Sequence, residues 1–342
     1  MNNFSELKKL GWQPFFLQQL TLEEYELFEP ARIVAHDRSR YVVFNGTSYQ
    51  SLDILKSFPK MTVGDWILID GQSQFVRLLD RKSLFSRRSA GSKLGLQLIA
   101  SNIETLFIVS SLNHDFNLSR IERYLVLARE AEVEPIIVLT KADLASNKDD
   151  ALDKLEKLDS RLRVFCVNAL DKESCEGLRE ECPVGTTVAL LGSSGVGKST
   201  ITNTLLQSEV QATKTIREDD SKGRHTTSSR SIHFIPNGGV LIDTPGMREL
   251  KLTDCSEGID STFDDIGQLA KKCKFADCSH TSELGCAVLK AIENGLLEPR
   301  RLANYQKLKR EEERNSMELH ELRAKEKSFK KMVNSVTRKS KM

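Results

Sequence analysis

The sequence predicts three regions of different fold class. They are an N-terminal β-barrel, a central α/β domain with a doubly wound parallel sheet, and a C-terminal helical region that binds a metal ion. The barrel is predicted from short alternating runs over residues 31–80, and the α/β domain from β-branched runs that alternate with helical stretches over about 100–250. Beyond residue 255 a Cys/His cluster precedes charged helical sequence. We place the three domains at residues 1–85, 95–252 and 255–342.

The overall composition is that of a globular protein. Apolar residues make up 39% and charged residues 29% of the 342 residues. No stretch approaches the roughly 18 consecutive apolar residues of a membrane span. The first residues, MNNFSELKKLGWQPFF, carry an early acid and no long apolar region, so they do not resemble a secretory signal. We expect a cytoplasmic protein without a membrane role.

The charge is nearly balanced in total but unevenly distributed. The net charge is +2, whereas residues 301–342 hold 13 Lys and Arg against 6 Asp and Glu. A second basic cluster at residues 81–93 contains no acid; its members are Arg81, Lys82, Arg87, Arg88 and Lys93. Separate basic patches favour contact with a polyanion, although solvated surface segments are the alternative.

The N-terminal region alternates apolar and polar positions in the runs RIVAH, RYVVF, DWILID and QFVRLLD. Turn signals separate these runs at Asn45-Gly46 and Gly64-Asp65. This pattern indicates a small all-β unit with a five-stranded barrel. Residues 81–95 are rich in Arg, Lys, Ser and Gly, and we expect a flexible basic linker there.

A phosphate-binding loop follows the apolar run TVALL and precedes a helical stretch. The segment fits G-x4-G-K-[ST] and is followed by Thr200; its residues are Gly192, Ser193, Ser194, Gly195, Val196, Gly197, Lys198 and Ser199. The glycines let backbone N–H groups surround phosphates, Lys198 reaches the β- and γ-phosphates, and Ser199 ligates Mg²⁺. A turn that binds nothing is the weaker alternative in this strand–loop–helix context.

A second phosphate-side element, DTPG, ends the run GVLID about fifty residues beyond the loop. The carboxylate of Asp243 can hold the Mg²⁺ shell, and the N–H of Gly246 can sense the γ-phosphate. An ordinary Pro-Gly turn is the alternative. The position at a strand end favours the nucleotide site.

The base-reading element is predicted at Thr140-Lys141-Ala142-Asp143, after the run PIIVL. The Asp143 carboxylate can accept hydrogen bonds from two guanine N–H groups that adenine lacks. Lys141 would lie along the base, and the backbone N–H of Ala169 would reach the guanine carbonyl. A helix start capped by Asp143 is the alternative for this tetrapeptide alone.

The order of these motifs is permuted. The base-reading element precedes the phosphate loop by about fifty residues, whereas it follows the loop in ordinary translation-factor-like GTPases, which these motifs resemble. A parallel sheet tolerates such an order because its ligand loops all lie at the carboxyl ends of the strands. The sequence therefore predicts a circularly permuted α/β P-loop GTPase domain, from which the chain leads directly from Asp243 to the C-terminal region.

The residue that orients the attacking water departs from the common GTPase pattern. Met247 stands where many GTPases carry glutamine, and it cannot orient water. His225 in the segment GRHTT could do so, although an exposed switch histidine is the alternative. Thr226 or Thr227 would complete the Mg²⁺ shell.

Four metal ligands crowd into fourteen residues. The pattern Cys273-x4-Cys278-x-His280-x5-Cys286 supplies three thiolates and one imidazole, which is a complete tetrahedral set. A structural Zn²⁺ is therefore predicted, with ordinary buried cysteines as the alternative.

The succession of regions resembles the ribosome small-subunit-dependent GTPase A family (RsgA, also called YjeQ). The residues that carry the resemblance are at 111–125 (SLNHDFNLSRIERYL), 139–144, 192–200, 223–227 (GRHTT), 243–249 (DTPGMRE) and 273–288. The resemblance implies an N-terminal OB-fold, a GTPase stimulated by the small ribosomal subunit, and late maturation of that subunit with release of an assembly factor. Ribosomal RNA would be the polyanion, and one copy per subunit would suit a monomer.

Two functions of other classes remain open from the residues alone. One is a GTP-gated binding module in which hydrolysis is incidental, because Met247 replaces a catalytic glutamine. The other is an ATP-dependent RNA-processing enzyme, against which Asp143 argues.

Overall fold

A computed structural model describes residues 4–37, 39–88, 96–113, 115–207, 230–243, 250, 252–316 and 321. Its helices are α1 (Phe4–Lys9), α2 (Pro14–Leu17), α3 (Leu22–Leu27), α4 (Leu118–Glu130), α5 (Lys148–Leu158), α6 (Glu176–Glu180), α7 (Lys198–Leu206), α8 (Ser256–Thr262), α9 (Asp264–Ala270), α10 (Ala287–Glu293) and α11 (residues 299–316). A 3₁₀ turn covers Ala142–Leu144.

The strands are β1 (Glu29–His36), β2 (Arg40–Phe44), β3 (Tyr49–Asp53), β4 (Trp66–Ile69), β5 (Phe75–Leu78), β6 (Leu84–Arg88), β7 (Leu96–Ser101), β8 (Thr105–Ser111), β9 (Glu134–Thr140), β10 (Arg163–Val167), β11 (Thr187–Leu191), β12 (Arg230–Phe234) and β13 (Val240–Asp243). The chain divides into two compact units. The first comprises Met1–Arg87 with Gln97–Leu250, and the second comprises Arg88–Leu96 with Lys251–Met342.

The centre of the first unit is a parallel sheet. Its strands lie in the order β10-β9-β8-β11-β13 and are parallel throughout. β8 is buried along its whole length, as expected for a strand covered on both faces. The parallel α/β sheet predicted from the β-branched runs is confirmed.

The core on one side of this sheet joins β-strand side chains to α6 and α7. Its larger members are Phe107, Val138, Leu178, Ile201, Leu205 and Leu241. Burying one such side chain stabilises the fold by about 1.5–3 kcal/mol. The helices are therefore fixed to the sheet by the apolar faces that their sequence periodicity predicts.

The N-terminal strands continue the same sheet in antiparallel fashion. β12 pairs with both β13 and β1, β1 pairs with β2 and β4, and the outer pairs are β2–β3 and β4–β5. A second core lies among these strands and includes Ile33, Tyr41, Val43, Met61 and Ile67. The small all-β unit is present, while its closure into an OB-fold barrel stays a prediction.

The flexible linker predicted at residues 81–95 is partly wrong. Residues 84–88 form β6, which pairs with β7. Phe85 is buried, and the Arg87 Nε donates to Gln97 Oε1 at 3.1 Å across the pair. Two arginines made the segment resemble a linker, but their charge does not prevent strand pairing. Residues 89–95 lie outside the described part of the chain.

A fully buried arginine joins the N-terminal region to the parallel sheet. The Arg32 guanidinium on β1 donates to the carbonyl oxygens of Leu10, Gly64 (3.2 Å) and Asn102 (3.1 Å). These carbonyls belong to the turn after α1, the turn before β4 and the segment before β8. A single side chain thus holds three separate segments together.

An aromatic ring and two carboxylates near Arg32 stabilise its positive charge in the protein interior. Its guanidinium carbon lies 5.5 Å from the centroid of the Trp66 ring. Desolvation lowers the pKa of Arg32 to about 10, although the negative charges of Glu104 and Asp65 oppose this shift. The group therefore stays protonated at neutral pH.

Beyond residue 255 the described residues of the second unit form helices and turns, as the loss of strand patterns in this part of the sequence predicts. Arg301 at the start of α11 forms a bidentate ion pair with Asp265, with both N–O distances 2.7 Å. It also donates to the Thr262 carbonyl at 2.9 Å and lies over the Phe263 ring. This arginine fixes α11 against α8 and α9. Within the described residues, no helix has the length and apolarity to cross a membrane.

We predict that Arg32→Leu lowers the free energy of unfolding of the first unit by about 3–5 kcal/mol, because three buried carbonyls lose their donor. Urea denaturation followed by tryptophan fluorescence would measure the change. Arg161→Leu is the matched control: Arg161 forms an exposed ion pair with Asp159, whose loss should cost less than about 1 kcal/mol. Equal losses for the two variants would contradict a central role for Arg32.

Candidate nucleotide and metal sites

The predicted nucleotide motifs converge on one edge of the parallel sheet. Thr140 ends β9 and lies opposite Ser111 of β8 and Val167 of β10. The phosphate loop leaves β11, and Asp243 ends β13, the next strand in the sheet. Segments that are far apart in the sequence therefore meet at the carboxyl ends of adjacent strands, where α/β folds bind ligands.

The backbone of the phosphate loop depends on its glycines. Gly195 and Gly197 have φ angles of 78° and 99°, in the left-handed region. A Cβ atom on Gly192 would lie 2.2 Å from the Val109 carbonyl oxygen, so no larger residue fits there. The loop then enters α7 at Lys198. This strand–loop–helix geometry directs backbone N–H groups toward an anion.

Side chains hold the loop from within and from β9. The Lys198 Nζ donates to the carbonyl oxygens of Gly192, at 2.7 Å, and Ser193. The buried Thr140 hydroxyl donates to the Val196 carbonyl at 2.6 Å. Thr140 was predicted as part of the base-reading element, and its side chain in fact links that element to the phosphate loop.

The base-side residues lie at the ends of β9 and β10. Lys141 adopts a left-handed conformation (φ 57°), which starts the 3₁₀ turn containing the exposed Asp143. Ala169 is buried, and its carbonyl oxygen accepts a hydrogen bond from Thr204 of α7 at 2.7 Å. α7 thereby connects the loop after β10 to the phosphate loop.

The remaining predicted residues divide into two groups. At the same sheet edge as the residues above lie Ser194, Ser199, Thr200 and Asp243. Outside the described residues lie His225, Thr226, Thr227, Gly246 and Met247, so their predicted roles stay predictions.

The structure adds a polar network that the motifs did not reveal. The Ser193 hydroxyl donates to Asp115 Oδ2 at 2.6 Å, and Arg120 Nη1 lies 2.5 Å from Asp115 Oδ1 and 2.9 Å from Ser193 Oγ. Burial alone would raise the pKa of Asp115, but the bonds from Ser193 and Arg120 outweigh it and lower that pKa. The network ties the phosphate loop to the segment between β8 and α4.

The second arginine on this face of α4 reaches a different segment. Arg123 follows Arg120 by three residues and donates to the Leu250 carbonyl at 3.4 Å. Leu250 comes directly after the DTPGMRE segment. One helix thus contacts both the phosphate loop and the chain that leaves the DTPG element.

The predicted metal ligands form a cluster in the second unit. The ligand atoms of Cys273, Cys278, His280 and Cys286 all lie within 4.8 Å of one another. Cys273 Sγ is 3.9 Å from Cys286 Sγ and 3.7 Å from His280 Nδ1. The sequence prediction that these four side chains meet is confirmed, and the set could hold a metal ion.

The loops that carry the ligands are fixed by local hydrogen bonds. The carboxylate of Glu283 accepts hydrogen bonds from the Ser279 hydroxyl and from the backbone N–H groups of Ser279 and Thr281, the last two at 2.8 Å. The bond from the Ser279 hydroxyl, followed by the backbone N–H bonds, lowers the pKa of Glu283. The backbone N–H of Ala287 donates to Cys273 Sγ at 3.3 Å. Burial raises the pKa of the Cys273 thiol, but its hydrogen bonds, led by those from the backbone N–H groups of Ala287 and Val288, outweigh burial and lower that pKa.

Comparisons with known proteins agree with this geometry. Residues 78–253 match the family model described as RsgA GTPase. Small ribosomal subunit biogenesis GTPase RsgA 2 of Vibrio parahaemolyticus is 56% identical over 330 residues, covering 96% of this chain and 92% of the relative. Small ribosomal subunit biogenesis GTPase RsgA of Mesorhizobium japonicum is 46% identical and covers 91% of both chains.

Two solved structures share the fold. YjeQ from Thermotoga maritima aligns with a TM-score of 0.61 at 23% identity, covering 82% of this chain and 97% of its own. YloQ, described as a circularly permuted GTPase, aligns with a TM-score of 0.57 at 20% identity, covering 85% and 98%. At these identities the likeness concerns the fold alone, and it supports the permuted order of the motifs.

We predict that Arg120→Ala weakens binding of a fluorescent GTP analogue by about tenfold, because Ser193 and Asp115 lose the donor that orients them. Equilibrium titration would measure the affinity, and the thermal midpoint would verify folding. Arg129→Ala on the same helix is the control, since Arg129 pairs with Asp159 rather than with the loop. Equal affinity in both variants would show that the network of Arg120, Asp115 and Ser193 does not contribute to nucleotide binding.

Proposed function

The chain belongs to the RsgA GTPase family and hydrolyses GTP, and from this premise we propose that it acts on the small ribosomal subunit during its late maturation. The observation that carries the proposal is the convergence of the base-reading element, the phosphate loop and Asp243 on one sheet edge, in a chain with relatives named for small-subunit biogenesis. In this proposal the subunit stimulates turnover, and hydrolysis promotes release of an assembly factor.

We assign nucleotide-binding roles to residues around the sheet edge. Backbone N–H groups from Gly192 to Thr200 would surround the phosphates, with Lys198 beside the β- and γ-phosphates. Asp143, at the exposed rim, would accept the two guanine N–H donors, and Lys141 and Ala169 would border the base. The exposure of Asp143 leaves it accessible to a nucleobase.

A magnesium ion would bind between neighbouring strands. Ser199 lies in the first turn of α7, after β11, and Asp243 ends the adjacent β13, so a hydroxyl and a carboxylate flank the phosphate loop. These oxygen donors are the type that Mg²⁺ takes together with phosphate oxygens, and Thr226 or Thr227 would add another. When bound, the ion neutralises charge on the β- and γ-phosphates.

The subunit would complete the catalytic geometry. Met247 cannot orient water, so we assign this task to His225. A partner that positions the segment containing His225 would raise the rate by pre-organising the water. Stimulated turnover therefore distinguishes an enzyme from a GTP-gated binding module in which hydrolysis is incidental.

We expect multiple-turnover GTP hydrolysis to rise at least about tenfold on addition of small ribosomal subunits and to stay unchanged with large subunits, because completing the catalytic geometry lowers the barrier by more than about 1.4 kcal/mol. In the same assay His225→Ala should lower the stimulated rate while GTP affinity stays within about twofold. A slow rate indifferent to both subunits would reject the ribosomal proposal. An unaffected His225→Ala rate would reject only the catalytic assignment.

Ribosomal RNA is the polyanion proposed for the basic residues. Arg81 forms an ion pair with Asp65, with an Nε–Oδ1 distance of 2.7 Å. The excess of Lys and Arg over Asp and Glu in residues 301–342 belongs to the second unit. Counterion release makes contacts of this kind weaken steeply as salt increases. The proposal includes a cytoplasmic monomer bound once per subunit, and salt-insensitive binding would contradict the electrostatic part.

The metal in the second unit is proposed to be a structural zinc ion. A tetrahedral centre with bonds of about 2.3 Å to sulfur and about 2.0 Å to nitrogen separates two sulfurs by about 3.8 Å and sulfur from nitrogen by about 3.5 Å. The corresponding distances here include 3.9 Å between Cys273 and Cys286, and 3.4 Å between Cys286 Sγ and His280 Nδ1. The four donors leave no ligand position for a substrate.

Metal analysis of chelator-free protein should find about one zinc ion per chain, and Cys278→Ser should lose most of it because three donors bind more weakly than four. Proteolysis within residues 255–316 should accelerate at the same time. Cys166→Ser is the control, because that thiol lies on β10 outside the cluster. A zinc-free parent protein, or equal zinc in both variants, would contradict the assignment.

A further inference from the structure

The short helix α3 exposes an acidic and apolar face. No residue of α3 is buried, and the side chains of Leu22 and Leu27 are 86% and 59% exposed. Glu23 and Glu26 are exposed beside them. At 100° per residue these four residues fill one half of the helix circumference, so we name them the α3 face.

The opposite side of α3 is fastened to the protein. Glu24 accepts a bidentate ion pair from Arg77 of β5, with distances of 2.6 and 2.9 Å, and Arg77 also donates to the Gln19 carbonyl at 2.7 Å. Thr21 and Glu24 form a reciprocal capping box at the helix start. The α3 face is therefore presented by an anchored helix, and its exposure does not result from a frayed terminus.

The charge around the α3 face is opposite to that of an RNA-binding surface. Residues 10–31 contain four glutamates and no Lys, Arg or His. The cationic residue of β5, Arg77, forms an ion pair with Glu24. A phosphate backbone would be repelled by Glu23 and Glu26, whereas a cationic partner would be attracted.

We propose that the α3 face binds a basic protein of the small ribosomal subunit, through an apolar side chain flanked by lysines or arginines. Leu22 and Leu27 supply the apolar contact, and Glu23 and Glu26 pair with the flanking cations. Exposed apolar groups with a charged rim are typical of protein interfaces. The proposal rests on the proposed function, because it names a second chemical class of contact on the same particle.

The direction in which affinity changes after a charge reversal distinguishes a protein partner from an RNA partner. In the full-length double variant Glu23→Lys and Glu26→Lys, affinity for small subunits should fall by about five- to twentyfold if a basic protein covers the α3 face. Affinity would rise if RNA covers it, since two lysines replace two carboxylates, and that result would overturn the proposal. Unchanged affinity would overturn it as well.

A matched variant controls for the change in net charge. Asp153 and Glu156 on α5 have the same spacing as Glu23 and Glu26 and are also exposed. Their replacement by lysine should leave affinity equal or slightly higher, through general attraction to the particle. An equal loss of affinity in the control would overturn the proposal, because the loss would not then be specific to the α3 face.

A second variant tests the apolar contact at constant charge. Leu22→Ser should weaken binding by about fivefold, without changing the thermal midpoint, since Leu22 is 86% exposed. Full affinity in this variant would overturn the apolar part of the contact. If the unaltered protein fails to bind small subunits, the proposed function itself fails; if it binds and the α3 variants match it, only this inference fails.

Discussion

The arrangement of the first unit depends on one buried cation. Arg32 is removed from water, and its hydrogen bonds to three backbone carbonyls compensate for that loss. The outermost of those carbonyls, at Leu10 and Asn102, are about ninety residues apart in the sequence, so no local propensity could bring them together. The same group lies near Glu104, whose carboxylate accepts the backbone N–H of Thr187 at the start of β11. The N-terminal strands and the sheet that carries the phosphate loop are therefore stabilised as one body.

The permuted order of the motifs leaves the geometry of the nucleotide site in such a sheet unchanged. Parallel pairing aligns the ends of β10, β9, β8, β11 and β13 along one edge of the sheet, whichever strand comes first in the sequence. Thr140 shows that the two motifs are neighbours: it belongs to the base-reading element, and its hydroxyl donates to the Val196 carbonyl in the phosphate loop. What the order does determine is the exit from the domain: the chain passes from Asp243 to Leu250, whose carbonyl is held by Arg123.

Much of the fold and the site follows from local sequence patterns, because those patterns report local physics. β8 and β9 were predictable from continuous β-branched runs, and the metal ligands from their spacing. β3 (YQSLD) and β6 (LFSRR) were missed, since polar residues conceal strands that are fixed by their neighbours. The Arg120–Asp115–Ser193 network could not be derived, as it requires knowing that the segment after β8 lies beside the phosphate loop. A charged residue such as Arg32 likewise suggests the surface until the fold supplies its partners.

The pairing of β12 with β1 has an evolutionary consequence. β12 leads into β13 and hence to Asp243, while its other edge joins the N-terminal strands at Ala35 and Ser231. The connection is made by backbone N–H and carbonyl groups, which every residue except proline supplies in full. Side chains along β1 and β12 can therefore change between lineages while the backbone pairing is kept. These strands can diverge in sequence and still connect the nucleotide-binding edge of the sheet to the N-terminal strands.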